Sequence, residues 1–271
     1  MPHNQTDAFR QLHQNSTPLC LPNAWDAGSA RFFESLGAPA IATTSAGVAW
    51  SLGYQDGRAL DIREVVALAA RMARVLRVPL SLDIENGYSD EPKVAADNVL
   101  RLVDLGVAGV NIEDGPDKPS LLAAKIEAIR TAVSNAGADV FINARSDVFL
   151  ASLVEVPKLI EESVTRSHLY QSVGADGFFL PGVAKNEDIS AVATDTSLPL
   201  NVMAWPGLEG AAELGKLGVR RLSAGAAIAQ ALWHQAEKLG REFLQTGHAP
   251  FVYSDFVRYS DLQDLFSQVE R

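Results

Sequence analysis

One cysteine, Cys20, occurs in 271 residues, so the chain cannot form an intrachain disulfide. Positive charge is also scarce. Twenty-three Lys and Arg against 33 Asp and Glu give a formal charge of -10 and a pI near 5.0. That sign opposes gripping a phosphate backbone over a wide surface, and no nucleic-acid partner is expected. Neither GxGxxG nor GxxxxGK[ST] follows any strand-like run, which weakens the case for an open dinucleotide-binding sheet. The longest uncharged stretch, Ser35 to Gln55, carries Pro39, Thr43, Thr44, three glycines and Gln55, which a lipid-spanning helix would have to satisfy internally. It reads as buried strand plus loop, and no membrane partner is expected. The N-terminal MPHNQTDAFRQLHQNS holds no apolar run of signal-peptide length, so a cytoplasmic protein is expected. His3, His13, His168 and His234 fall in the tail or in helical stretches and His248 lies beyond the last strand, which disfavours a histidine-built zinc site.

What the chain does have is one phrase used repeatedly: a helix-like stretch ending near Gly, an apolar β-branched run, then a small or polar residue. It occurs as GAPAIATTSAG (37–47), GVAGVNIEDG (106–115), GADVFINARSD (137–147), GADGFFLPG (174–182) and GVRRLSAG (218–225). LCLPNAWD (19–26), VPLSLDIENG (78–87) and LPLNVMAWPG (198–207) fit the same slot. Strands are expected near 19–24, 39–45, 79–85, 107–113, 139–145, 177–181, 198–204 and 219–224. The runs are apolar with poor polar alternation, as where both faces of a sheet are covered.

Between them lie stretches with a period near 3.6. Asp61 to Leu76 places Val65, Leu68, Met72 and Val75 on one face, with Asp61 and Glu64 in a capping-box pattern. Asp90 to Leu105, Ser120 to Val133 and Leu150 to Val173 behave alike, as does Ala226 to Leu239, and the tail from Phe251 mixes aromatics and charges at loose helical spacing. Eight strand-then-helix units fit an α/β protein of TIM (β/α)8 barrel type, modified by additional C-terminal helices over 226–271, as one domain of residues 1–271.

In such a barrel, active groups gather at the C-terminal strand ends. The third strand ends Asp83-Ile84-Glu85 and the fourth Glu113-Asp114, and strand alternation sends Asp83 and Glu85 to one side. Carboxylates crowded together raise each other's pKa unless a cation compensates them, and an all-oxygen set favours Mg²⁺, or Mn²⁺, over zinc. Asp56, in the second βα loop, offers a fourth carboxylate. Acidic residues at strand ends also cap helices or face water, which explains each one singly about as well as metal binding does. The fifth strand ends NARSD, placing Arg145 near the same mouth, where its fork suits a small carboxylate; pairing with Asp147 or Glu113 is its ordinary alternative. Backbone N–H groups of the Thr43–Gly47 turn would suit an oxyanion, although TTSAG is also simply a tight turn. Trp50, Tyr54 and Tyr88 lie on these loops and either close the pocket or pack against neighbouring loops; Asn23, ending strand one, is a modest candidate for substrate contact.

These residues resemble the isocitrate lyase and phosphoenolpyruvate mutase superfamily. The resemblance runs through NAWDAGSARFFESLG, ATTSAGVAWSLGYQDG, SLDIENGY, GVAGVNIEDG, KIEAIR and FINARSDVF, covering much of 22–150, and more weakly through GADGFFLPG. It implies a modified barrel assembled as a homotetramer, a dimer of dimers in which a C-terminal helix swaps onto the adjacent subunit. It also implies Mg²⁺ approached by Asp83 and, mostly through water, by Asp56, Glu85 and Glu113, with Arg145 on a substrate carboxylate and Ser45, Ala46 and Gly47 holding the other end of an oxalate-like core. Glu85 stands where the family commonly has Asp, and a longer carboxylate still reaches a water-mediated position. The loop after strand four departs more seriously, because the lyases carry Lys-Lys-Cys-Gly-His there and this chain reads GPDKPSLLAAKIEA. Lys118 only loosely matches the lysine of the mutase-like loops. The expectation is an Mg²⁺-dependent carbon–carbon lyase on a small 2-hydroxy or 2-oxo di- or tricarboxylate, by retro-aldol cleavage or decarboxylation, with water or Tyr88 as late proton source and with Arg145, Glu113 and Asp56 serving catalysis. The alternatives are a phosphonopyruvate hydrolase or mutase, and a non-catalytic binding protein for 2-oxo acids.

Overall fold

A computed structural model describes residues 2–249 and 256–267. Nine parallel strands form the sheet: β1 Leu19–Leu21, β2 Asn23–Ala24, β3 Ile41–Thr43, β4 Leu80–Asp83, β5 Gly109–Glu113, β6 Phe141–Arg145, β7 Gly177–Phe179, β8 Leu200–Met203 and β9 Val219–Ser223. The expected eight become nine because Pro22, with no N–H to donate, splits the first strand in two. Its first half pairs with β9 and its second with β3, so the sheet curls into a nearly closed TIM-type α/β barrel.

The helices are α1 Pro2–Leu12, α2 Ala27–Ser35, α3 Ser45–Ser51, α4 Ile62–Val75, α5 Pro92–Val103 and α6 Pro119–Asn135, followed by α7 Leu159–Ser172, α8 Asn186–Asp195, α9 Ala211–Lys216, α10 Ala227–Thr246 and α11 Tyr259–Ser267. The expected helix over 150–173 starts only at Leu159, after a turn and a single 3₁₀ turn containing Pro157. The capping box at Asp61 does not form, because its carboxylate accepts the Arg63 backbone N–H (2.8 Å) and is then held by the Arg63 side chain. Asp26 and Ser29 form one instead, at the start of α2. Of the tail, positions 250–255 and 268–271 lie outside the described residues.

Leu80, Leu82, Val110, Ile112, Ile142, Ala144, Leu200 and Val202 pack outward against the helices and form the main core. The alternate positions face the barrel axis, apolar at its N-terminal end, where Leu19, Leu21, Ala42 and Phe141 cluster with Phe9, and polar further up at Ser81, Asn111, Asn143, Asn201, Arg221 and Ser223. The strands therefore alternate after all, within an envelope where both faces are buried. At the N-terminal end α1 plugs the barrel, with Phe9 fully buried against Phe141 (ring centres 5.3 Å apart) and His13 stacked on the same ring at 4.3 Å.

Candidate active site

The register of the sheet brings the charged residues together. Asp83 lies opposite Asn111, and Glu113 opposite Arg145, at the C-terminal ends of three successive strands. Arg145 is gripped by Asp147 through two bonds, Nε to Oδ1 at 2.7 Å and Nη2 to Oδ2 at 3.1 Å. Its Nη1 stands 2.9 Å from Glu113 Oε2 and 4.0 Å from Asp83 Oδ2. Three carboxylates thus surround one guanidinium, so the pairing alternative raised by the sequence is realised. Two of its five N–H donors remain uncommitted, and Arg145 still lines the cavity.

That cavity, about 420 Å³, opens where the strands end. Asn23, Ser45, Ala46, Asp56, Asp83 and Arg145 line it, as do Asn111, Ser223 and a wall including Leu150, Phe179, Met203 and Trp205. Gly47, Glu85, Glu113 and Tyr88 do not. Thr44 caps α3, and its Oγ1 accepts the Gly47 N–H at 3.5 Å, which turns that N–H into the helix cap. Asn23 is spent as a clamp, donating to Thr43 O (2.7 Å) and accepting from Gly225 N (2.9 Å).

Strand alternation does not reach Glu85, since β4 ends at Asp83 and Glu85 takes a left-handed φ of 50°. Its carboxylate instead accepts the Arg58 backbone N–H and the Tyr88 hydroxyl (3.5 Å), fastening the loop that carries Asp56. Lys125, buried, donates to Asn86 O at 2.9 Å and pins the same turn from below. Asp114 is buried behind the site. It accepts from Asp147 N (3.0 Å), Arg166 Nη1 (2.8 Å) and Tyr170 Oη (2.6 Å), and so fixes the segment that presents Asp147 to Arg145.

The electrostatics are those of an under-compensated anionic pocket. Burial, opposed by Arg145, pushes Asp83 up and Glu113 up to about 8. Burial also raises Glu85, with the Arg58 N–H opposing and Asp83 and Asp56 adding to the rise. For Arg145 burial acts downward, and the charges of Glu113, Asp147 and Asp83 outweigh it, holding the group above the usual arginine range. Tyr88 rises well above an ordinary phenol through burial and then the Glu85 and Asp83 charges, and it lines a neighbouring cleft with Arg58 and Asp90. A cluster of carboxylate oxygens with one internal cation fits a hard divalent ion. Among the described residues no three Asp, Glu, His or Cys side chains converge as a metal-binding group.

Cys20 lines a separate surface cleft with Pro18 and Pro39, and Lys118 is exposed before α6. Sequence reasoning missed Asn111, Ser223 and the scaffold of Asp114, although the inward positions of NIE, NAR and LSA followed from alternation.

A parallel barrel with an acidic pocket and a buried arginine at its C-terminal mouth defines an α/β-barrel enzyme. The phosphoenolpyruvate phosphomutase family model matches residues 9–244, and the chain belongs to that family. An uncharacterized protein of Mycobacterium tuberculosis (strain H37Rv) is 39% identical over 223 residues, covering 80% of this chain and 81% of its own. An oxaloacetate decarboxylase of Pseudomonas entomophila is 27% identical over 99% of this chain and 93% of its own. Among solved structures, a 2,3-dimethylmalate lyase superposes with a TM-score of 0.85 at 23% identity, covering 96% of this chain and 94% of that one, a likeness of fold.

Proposed function

We propose that this enzyme is an Mg²⁺-dependent carbon–carbon lyase acting on a small 2-oxo or 2-hydroxy di- or tricarboxylate in the cytoplasm, with decarboxylation favoured over retro-aldol cleavage. The observation that carries this reading is the 4.0 Å approach of Arg145 to Asp83 at the edge of one cavity. Mg²⁺, with Mn²⁺ as substitute, would be held by Asp83 directly and by Asp56, Glu85 and Glu113 through water, supplying Lewis-acid polarisation of the 2-oxo group. Arg145 offers its two uncommitted N–H donors to the substrate carboxylate, while Ser45 and Ala46 line the same cavity. As the bond to C3 breaks, charge moves onto oxygens facing that guanidinium, which stabilises it without a covalent intermediate. Retro-aldol cleavage needs a base for an alcohol proton. Arg145 occupies Glu113 and Asp147, and the Tyr88 hydroxyl donates to Glu85, so loss of CO₂ followed by a late proton from water asks least of these residues. The names of relatives at 27–30% identity agree.

Carbon–phosphorus chemistry, in a phosphonopyruvate hydrolase or mutase, is the second reading, supported by the family model and opposed by the exposure of Lys118. A panel of oxaloacetate, substituted malates, isocitrate, 2-methylisocitrate and phosphonopyruvate with Mg²⁺ decides, read by 2-oxo acid or phosphate. Tight binding of oxalate with no turnover would instead make the chain a 2-oxo acid binding protein. We further propose a dimer of dimers with a C-terminal helix swap, because α10 and α11 leave Leu232, Trp233, Phe243, Leu244 and Tyr259 exposed. Light scattering tests it: a tetramer mass supports this assembly and a monomer excludes it.

A further inference from the structure

Below the cavity, the barrel axis is filled by Ser81, Asn111, Asn143, Asn201, Arg221 and Ser223, all buried, where branched apolar side chains usually pack. Arg221 is the most demanding of them. It is fully buried, and none of its nitrogens meets a carboxylate among the described residues. Its Nε donates to Ser223 Oγ (3.2 Å), its Nη2 to Asn111 Oδ1 (3.3 Å), and its Nη1 to nothing, while the guanidinium carbon lies 5.8 Å from the centre of the Phe9 ring. Burying a cation without an ion-pair partner is costly, and burial lowers this arginine to about 9 even with Asp83 opposing the shift. Packing alone does not call for that cost, since a methionine would cover Phe9 as well.

The hydrogen bonds supply a reason. A guanidinium only donates, so the Asn111 atom facing Arg221 is its carbonyl oxygen, and Asn143 Nδ2 donates to that same oxygen at 2.9 Å. Without Arg221 the two asparagine amides would be free to flip together and exchange donor for acceptor. With it, the Asn111 NH₂ is turned away from both, and Asn111 lines the cavity beside Asp83, its register partner.

We propose that Arg221 is a positioning residue that locks the Asn111 amide, so that Asn111 Nδ2 serves as an anion-binding donor in the cavity floor, contacting a carboxylate or enolate oxygen of the bound acid. The inference rests on the carboxylate-site reading above. It also explains why Ser223 joins the lock: its Oγ accepts from Arg221 and donates to Asn201 Oδ1 at 3.2 Å, tying the floor across β8 and β9.

Oxalate binding with saturating Mg²⁺, Mg²⁺ binding alone, and melting temperature separate the roles in wild type, Asn111→Asp and Arg221→Met. Asn111→Asp places a carboxylate against Arg221 and an acceptor in the floor. It is expected to melt at or above the wild-type temperature and bind Mg²⁺ no more weakly, yet to lose at least tenfold in oxalate affinity. Arg221→Met is expected to stay folded and to lose about fivefold or more in oxalate affinity with little change for Mg²⁺. Oxalate affinity within twofold of wild type in both variants overturns the proposal. An Arg221→Met chain that does not fold assigns Arg221 to packing and overturns its positioning role, leaving Asn111→Asp to decide the donor. A wild-type protein that binds no oxalate contradicts the carboxylate site itself.

Discussion

Arg145 holds Asp147 through two parallel bonds of 2.7 and 3.1 Å, leaving its third nitrogen to face Glu113 and Asp83. The fork is thus oriented by one carboxylate and presented by it to the cavity. Arg145→Lys keeps the charge but can satisfy neither the planar pair nor a substrate carboxylate at the same time. At roughly 1.5–3 kcal/mol for a lost charged hydrogen bond, kcat/KM is expected to fall about 10- to 150-fold. Steady-state kinetics on the substrate identified by the panel check this, and an unchanged kcat/KM would remove Arg145 from the site.

Asp114 is a purely supporting group. Asp114→Asn keeps the shape but leaves Arg166 and the Asp147 N–H poorly matched in a buried setting. A stability loss of about 3 kcal/mol or more is expected, measured by urea unfolding, with a further fall in kcat as Asp147 loosens.

His13 gives the chain an acid-sensitive floor. Burial, and then the Arg221 charge, lower it from 6.5 to about 3, so the folded state keeps it neutral while the unfolded chain takes up a proton below about pH 6.5. Its contribution to stability is whole above pH 6.5 and is lost progressively as pH falls toward 3, by several kcal/mol in total. Unfolding free energies across this window are expected to decline more steeply in wild type than in His13→Leu; equal slopes would contradict the assignment.

Phe9 closes the N-terminal end of the barrel. Phe9→Ala is expected to cost about 3–5 kcal/mol, because Phe141 and Arg221 cannot collapse into the space, while Mg²⁺ binding at the other end changes little.

Much of this was readable in the chain. The eightfold phrase placed every strand to within a few residues, and DIENG, NIEDG and NARSD placed the charged mouth. Alternation failed at Glu85 because the strand had already ended and the backbone turned left-handed there, which no hydrophobic pattern records. The helix expected from Leu150 was shortened by Pro157, whose ring disfavours helix in the residue before it. The polar axis was present as LSLD, GVNIE, FINAR and RRLS but was masked, since the outward positions are so apolar that the runs look uniformly buried. Asn111, Arg221 and Asp114 gain their roles from partners 32 to 110 residues away, and only the closed barrel brings these together.

The proposed chemistry needs a divalent cation held by Asp83 at the edge of the Arg145 cavity. Calorimetric titration of Mg²⁺ and Mn²⁺ into wild type, Asp83→Ala and Asp56→Asn measures this directly, with melting temperature to confirm folding. One ion per chain in wild type, weaker binding in Asp56→Asn and none in folded Asp83→Ala is the predicted result. Undiminished binding in Asp83→Ala, or none in wild type, would contradict it.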